Sequence, residues 1–164
     1  MQQTNYAYSK ERLGFSVNKM PIWFGEIDVS GDNENGSIIL HTGNTYDEIW
    51  GANGKMDISW EKLDRASFLH AKEVQKSIDQ YNAIQIVVTQ KDQVWLRSHE
   101  LTIWYGNRSK MIRKRFYREN SIHGVFYCDI TERLFNIHTA VILEHYEGFK
   151  PYIIDAYNSI ECHE

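Results

Sequence analysis

The sequence predicts an α+β fold: a single domain with a mostly antiparallel, strongly curved sheet of about seven or eight strands and two main helices. Three observations carry this. Runs of β-branched and aromatic residues recur along the chain. Most are separated only by short clusters of Gly, Asn, Asp and Ser, which suit hairpin turns. Only two segments repeat their apolar residues at helical spacing, so the regular strand–helix alternation of a doubly wound parallel sheet is missing.

Residues 1–20 are polar with scattered aromatics and read as a partly packed N-terminal arm, leaving 21–164 as the single α+β domain. Pro21–Val29 ("PIWFGEIDV") is apolar and partly alternating, a strand. "SGDNENG" follows as a turn in which Asn35-Gly36 suits positive φ, and "SIILHT" returns as a second strand. "GNTYDEIWGANGKMD" reads as a loop. A helix is expected over "SWEKLDRASFLHAKEVQKSIDQY", with Ser59 as its cap and Phe68, Leu69, Val74 and Ile78 on one face. "AIQIVVTQ" is a buried strand. "DQVWLRS" and "ELTIWYG" form a hairpin turning near Ser98-His99. "NRSKMIRKRFYREN" reads as a second helix capped by Asn107. "HGVFYCDI" is a strand and "TERLFN" a turn. "FNIHTAVILEHYEGFKPYIIDAYN" is expected to close the sheet as a hairpin around Gly148.

The 164 residues fit one domain large enough to hold a core without a disulfide or metal. The N-terminus has no apolar core of signal-peptide length, and no apolar run approaches the roughly 20 residues that span a bilayer. Two cysteines make no disulfide framework. These features lead us to expect a cytoplasmic protein with no membrane partner.

Charge is unevenly laid out. Residues 108–118 contain six bases and no acid, while the rest of the chain carries 12 bases against 22 acids, a balance of −10. Phosphate-binding loops, dinucleotide fingerprints, Cys-x-x-Cys pairs and His-Glu-x-x-His are missing. "DVSGDNENGSII" departs from a calcium loop at its sixth position, Asn33, and its twelfth, Ile39. No cofactor and no metal site is expected.

Three functional readings follow. In the first, the protein binds without catalysing and neutralises or regulates a basic macromolecular partner, as small acidic inhibitors and immunity proteins do. Asp47, Glu48 and Asp57 would steer the encounter while Trp50 and Trp60 anchor it. In the second, a small hydrolase or nuclease uses His138. Counting across a turn at Gly148 sets His138 opposite Asn158 with Asp155 nearby, the base-and-orienter part of cysteine hydrolases. Neither Cys128 nor Cys162 is placed as the nucleophile at a helix N-terminus. In the third, the basic segment grips a nucleic acid: Lys110, Lys114 and Arg118 stack along one helix face with Arg113 and Arg115 flanking. Trp104, Tyr105 and Tyr117 would offer stacking surface for unpaired bases.

Overall fold

The computed structural model describes residues 3–4, 12–21, 24–42, 54–112 and 114–163. It is an α+β domain. Four strands come first: β1 (Gln3–Thr4), β2 (Ser16–Val17), β3 (Met20–Pro21) and β4 (Gly25–Gly31). Next come β5 (Gly36–His41), β6 (Gly54–Lys62), helix α1 (His70–Asn82), β7 (Val87–Leu96), β8 (His99–Ile112) and β9 (Arg115–Cys128). β10 (Arg133–Ile142), helix α2 (Leu143–Asn158) and β11 (Ile160–Glu161) complete it. Seven strands make one open antiparallel sheet in the order β4-β5-β6-β10-β9-β8-β7, and two-stranded pairs β1-β3 and β11-β2 flank it.

A turn forms after β4, but its positive φ falls at Gly31 (+93°), a value that favours glycine, and not at Asn35 or Gly36 as expected. The Asp32 carboxylate accepts from the amides of Glu34 at 2.8 Å and Asn35 at 3.1 Å, which closes an Asx turn. These amides hold its carboxyl below the usual range, with Asn35 the larger cause. Trp60 then donates its indole N–H to the Asp32 carbonyl at 2.7 Å, tying β6 to the same turn.

The sheet separates two cores. On one face, Leu13, Phe15, Val17 and Met20 pack with Tyr146, Ile153, Ala156 and Tyr157 of α2 against Ile58, Phe126, Phe135 and Ile137. On the other, Val74 and Ile78 of α1 cover Trp104, Val125, Tyr127 and Leu134. Residues 12–21 thus belong to the main core. Tyr157 is buried where its hydroxyl donates to the Ile122 carbonyl at 2.7 Å and pairs with Thr139 Oγ1 at 2.6 Å. Gly124 makes room for that ring, since a Cβ there would lie 3.2 Å from Tyr157 Cδ2.

Four expected elements differ. "AIQIVVTQ", expected as a buried strand, enters the sheet only at Val87, where β7 is an edge strand with most of its residues exposed. Ser59 lies in β6, whose residues alternate buried and exposed, and the helix begins only at His70. The basic segment expected as a helix is the end of a β-hairpin: β8 and β9 pair through Met111↔Phe116 and Ile112↔Arg115, and Lys114 turns the chain at φ +66°. The expected closing hairpin is instead β10 followed by α2. Tyr146, Ile153 and Ala156–Tyr157 recur at helical spacing and face the core, so burial favours a helix even with Pro151 inside it.

Candidate metal centre and partner-binding arm

β7 stops pairing with β8 at Val87↔Asn107, and β10 stops pairing with β9 at Ile142↔Glu119. Beyond those points residues 109–118 pair only with each other, and with Arg108, which pairs with Glu119 at the base, they make an arm about 17 Å long at roughly 3.4 Å per residue. Directly opposite residues of an antiparallel pair share a face, so Met111 and Phe116 form an apolar pair near the tip, 64% and 71% exposed. Lys114 and Arg118 are exposed, while Arg108 is engaged by the buried Glu119 carboxylate. Lys110 and Arg115 lie in the two strands of the arm; Arg113 lies outside the described residues. Of the expected stacking surface, Trp104 and Tyr105 are buried in the sheet, whereas Tyr117 lies half-buried on the arm.

A second cluster lies under α1. His138 on β10 is flanked by His123 on β9 and Asp57 on β6 in one cross-strand row. The two imidazoles approach Nδ1 to Nδ1 at 3.1 Å, and His123 Nε2 pairs with Ser121 Oγ at 2.8 Å. Trp104 stacks on His123 with centroids 3.4 Å apart, and Tyr81 of α1 stacks on His138 at 4.6 Å. Burial holds His123 far below the ordinary imidazole range, with repulsion from His138 adding to it, so its ring is neutral. Burial raises Asp57, and pushes Tyr81 up to about 12 with the Asp57 charge contributing. Beside the row, Ser59, Glu61, Asn136, Glu73, Lys76 and Tyr81 line a polar cleft of about 310 Å³.

A third cluster joins the end of the β7–β8 hairpin to the C-terminal segment. His99 opens β8, Cys128 ends β9, and Cys162 and His163 follow β11. One donor atom from each lies within 4.8 Å of all the others. His99 Nε2 is 3.1 Å from His163 Nε2 and 3.4 Å from Cys162 Sγ. Asp129 reaches the other nitrogen of His99, Nδ1, at 3.5 Å. Hydrogen bonding to Cys162 lowers the Cys128 thiol to about 5 against the opposing effect of burial, while Cys162 is pushed up because the pair shares that proton. Behind it, Arg133 is buried and donates to the carbonyls of Leu13, Asn33, Gly14 and Cys162 at 2.6–2.9 Å.

The expected site residues fare unevenly. Asp155 and Asn158 are exposed on α2, which packs on the Thr139 side of the sheet, whereas His138 faces α1. The expected pairing of His138 with Asn158 is therefore replaced by the His123–Asp57 row. Trp60 is a core residue at 3% exposure rather than a surface anchor, and Asp57 is half-buried beside His138. Asp47, Glu48 and Trp50 lie outside the described residues. The four-donor cluster was not anticipated; the adjacent pair Cys162-His163 was its one local signal.

No family model matches this chain, and no curated protein is recognisably similar to it in sequence. Solved structures share the fold. A crystal structure from Bacteroides thetaiotaomicron VPI-5482 aligns with TM-score 0.58 and 14% identity over 100% of this chain, which spans 50% of that one. The solution structure of cyanobacterial PsbP (CyanoP) from Synechocystis sp. PCC 6803 aligns with TM-score 0.62 and 9% identity, covering 96% of this chain and 91% of that one. At these identities the likeness is one of fold alone.

Proposed function

We propose that the protein is a non-enzymatic binding domain that engages single-stranded nucleic acid through the β8–β9 arm. The observation that carries the reading is the composition of residues 108–118 on a ribbon that beyond Arg108 pairs only with itself. Cations on such a ribbon meet phosphates, and an exposed aromatic beside them gives unpaired bases a surface to stack on; Phe116 takes that part. The balance of −10 elsewhere confines contact to the arm and opposes broad duplex binding. The free thiols of Cys128 and Cys162 suit a reducing compartment, and we place the protein in the cytoplasm. Among the described residues no helix is long and apolar enough to cross a membrane.

The test is fluorescence anisotropy with labelled RNA and DNA oligonucleotides over a salt series, with anionic lipid vesicles as a parallel arm. Contact with about four phosphates of a single strand gives a log–log salt slope near −2.8, so affinity falls about 50-fold between roughly 50 and 200 mM salt. Lys114→Ala and Arg118→Ala should each flatten that slope by about 0.7. Phe116→Ser should weaken binding by roughly 1–3 kcal/mol without changing the slope. Absence of binding at low salt, or preference for the vesicles, refutes the reading.

A further inference from the structure

We propose that His99, Cys128, Cys162 and His163 form a structural zinc site. Zinc holds Cys sulfur at about 2.3 Å and His nitrogen at about 2.0–2.1 Å in a tetrahedron, which sets ligand atoms roughly 3.3–3.8 Å apart. The 3.1 Å between the two Nε2 atoms and the 3.4 Å from His99 Nε2 to Cys162 Sγ sit at that scale before any ion adjusts them. Both imidazoles present the same nitrogen, Nε2, to the shared point. Asp129 lies 3.5 Å from the outer nitrogen of His99, on the side from which a carboxylate could draw into the carboxylate–histidine arrangement of a metal ligand.

Donor chemistry selects the metal. Two sulfurs and two imidazole nitrogens in a tetrahedron suit zinc, whereas calcium and magnesium take oxygen ligands. A two-iron cluster would carry the histidines on one iron and the cysteines on the other. The short histidine-to-cysteine approach fits a single ion instead. Two thiolates and two neutral imidazoles around a divalent ion sum to zero charge, which suits a site whose first three ligands are buried. All four positions come from the protein, so no place is left for a substrate and the role is structural. The ion would pin residues 162–163 to the ends of β8 and β9, next to the Arg133 contacts that hold the same segment.

The proposal is tested on the full chain purified under reductant. Elemental analysis after exhaustive dialysis is expected to give one zinc per chain. Replacement by cobalt is expected to give the intense visible bands of a tetrahedral ion and thiolate-to-cobalt charge transfer in the near ultraviolet. Asp129→Asn should weaken metal binding by about tenfold or more in chelator competition. His163→Ala, at the most accessible ligand, should lose the tetrahedral spectrum, and His163→Cys should keep it with stronger charge transfer from a third sulfur. Cys128→Ser and Cys162→Ser remove core atoms, so their folding is checked by circular dichroism before their metal content is read. A chain that binds no metal with both thiols titrating free, an octahedral cobalt spectrum, a Cys128–Cys162 disulfide under reductant, or a spectrum indifferent to His163→Ala would each overturn the proposal.

Discussion

His123 should make this protein acid-sensitive, by an amount that follows from its surroundings. It is fully buried at 0% exposure, stacked on Trp104, with His138 from β10 and Tyr81 from α1 against it and Asp57 one strand beyond. The native ring stays neutral throughout the mildly acidic range, whereas the unfolded chain protonates near pH 6.5. Below that value the unfolded state holds a proton that the native state refuses, so stability is fully present above it and falls as the pH drops. The loss is about 1.4 kcal/mol per pH unit, or about 2 kcal/mol between roughly pH 7.5 and pH 5. Asp57, raised by burial, works in the opposite sense at lower pH. Urea unfolding of the wild type and His123→Asn across this range isolates the histidine, because Asp57 and the thiols remain in both. The variant is expected to start less stable and to lose about 2 kcal/mol less on acidification. Parallel pH dependences in the two proteins would refute the reasoning.

Other perturbations have expected outcomes. Arg133→Lys keeps the charge but cannot reproduce the fork that reaches four carbonyls, and unpaired buried acceptors cost about 1–3 kcal/mol each, so a loss of about 3 kcal/mol or more is expected in chemical denaturation. Tyr157→Phe removes the hydroxyl between Thr139 and the Ile122 carbonyl and should cost about 1–2 kcal/mol by the same assay. Gly124→Ala presses on the Tyr157 ring and should lower the thermal midpoint, an effect that Tyr157→Leu in the same chain should relieve.

The fold class was legible because alternation and turn chemistry are local. β5, the Asp32 turn and β10 from Phe135 onward follow from them directly, whereas Arg133-Leu134, read as part of a turn, already belong to that strand. The basic segment was not legible. A spacing of four lies on one face of a helix and also on one face of a strand, so Lys110, Lys114 and Arg118 fit both periods. Extension of β8 and β9 from the core decides for the hairpin. Residues 143–158 misled in the other direction, because "YIIDAY" resembles a strand unless Tyr146 is counted with it. Donors at 99, 128, 162 and 163 meet only through the ends of β8, β9 and β11, which no local spacing reports.

The strand order also has a consequence on the ribosome. β6 pairs with β5 as soon as both have emerged, but its other neighbour is β10, which is made only after α1, β7, β8 and β9. At about 5–20 residues per second, a strand that ends in mid-sheet spends several seconds of synthesis as a bare edge, open to pairing with another nascent chain. Lys55, Asp57, Ser59 and Glu61 alternate along that edge, and charged side chains are what natural sheets use to discourage such pairing. Three of these residues border the cleft and histidine row of the finished protein. Their first service is to keep an unfinished sheet from joining the wrong partner.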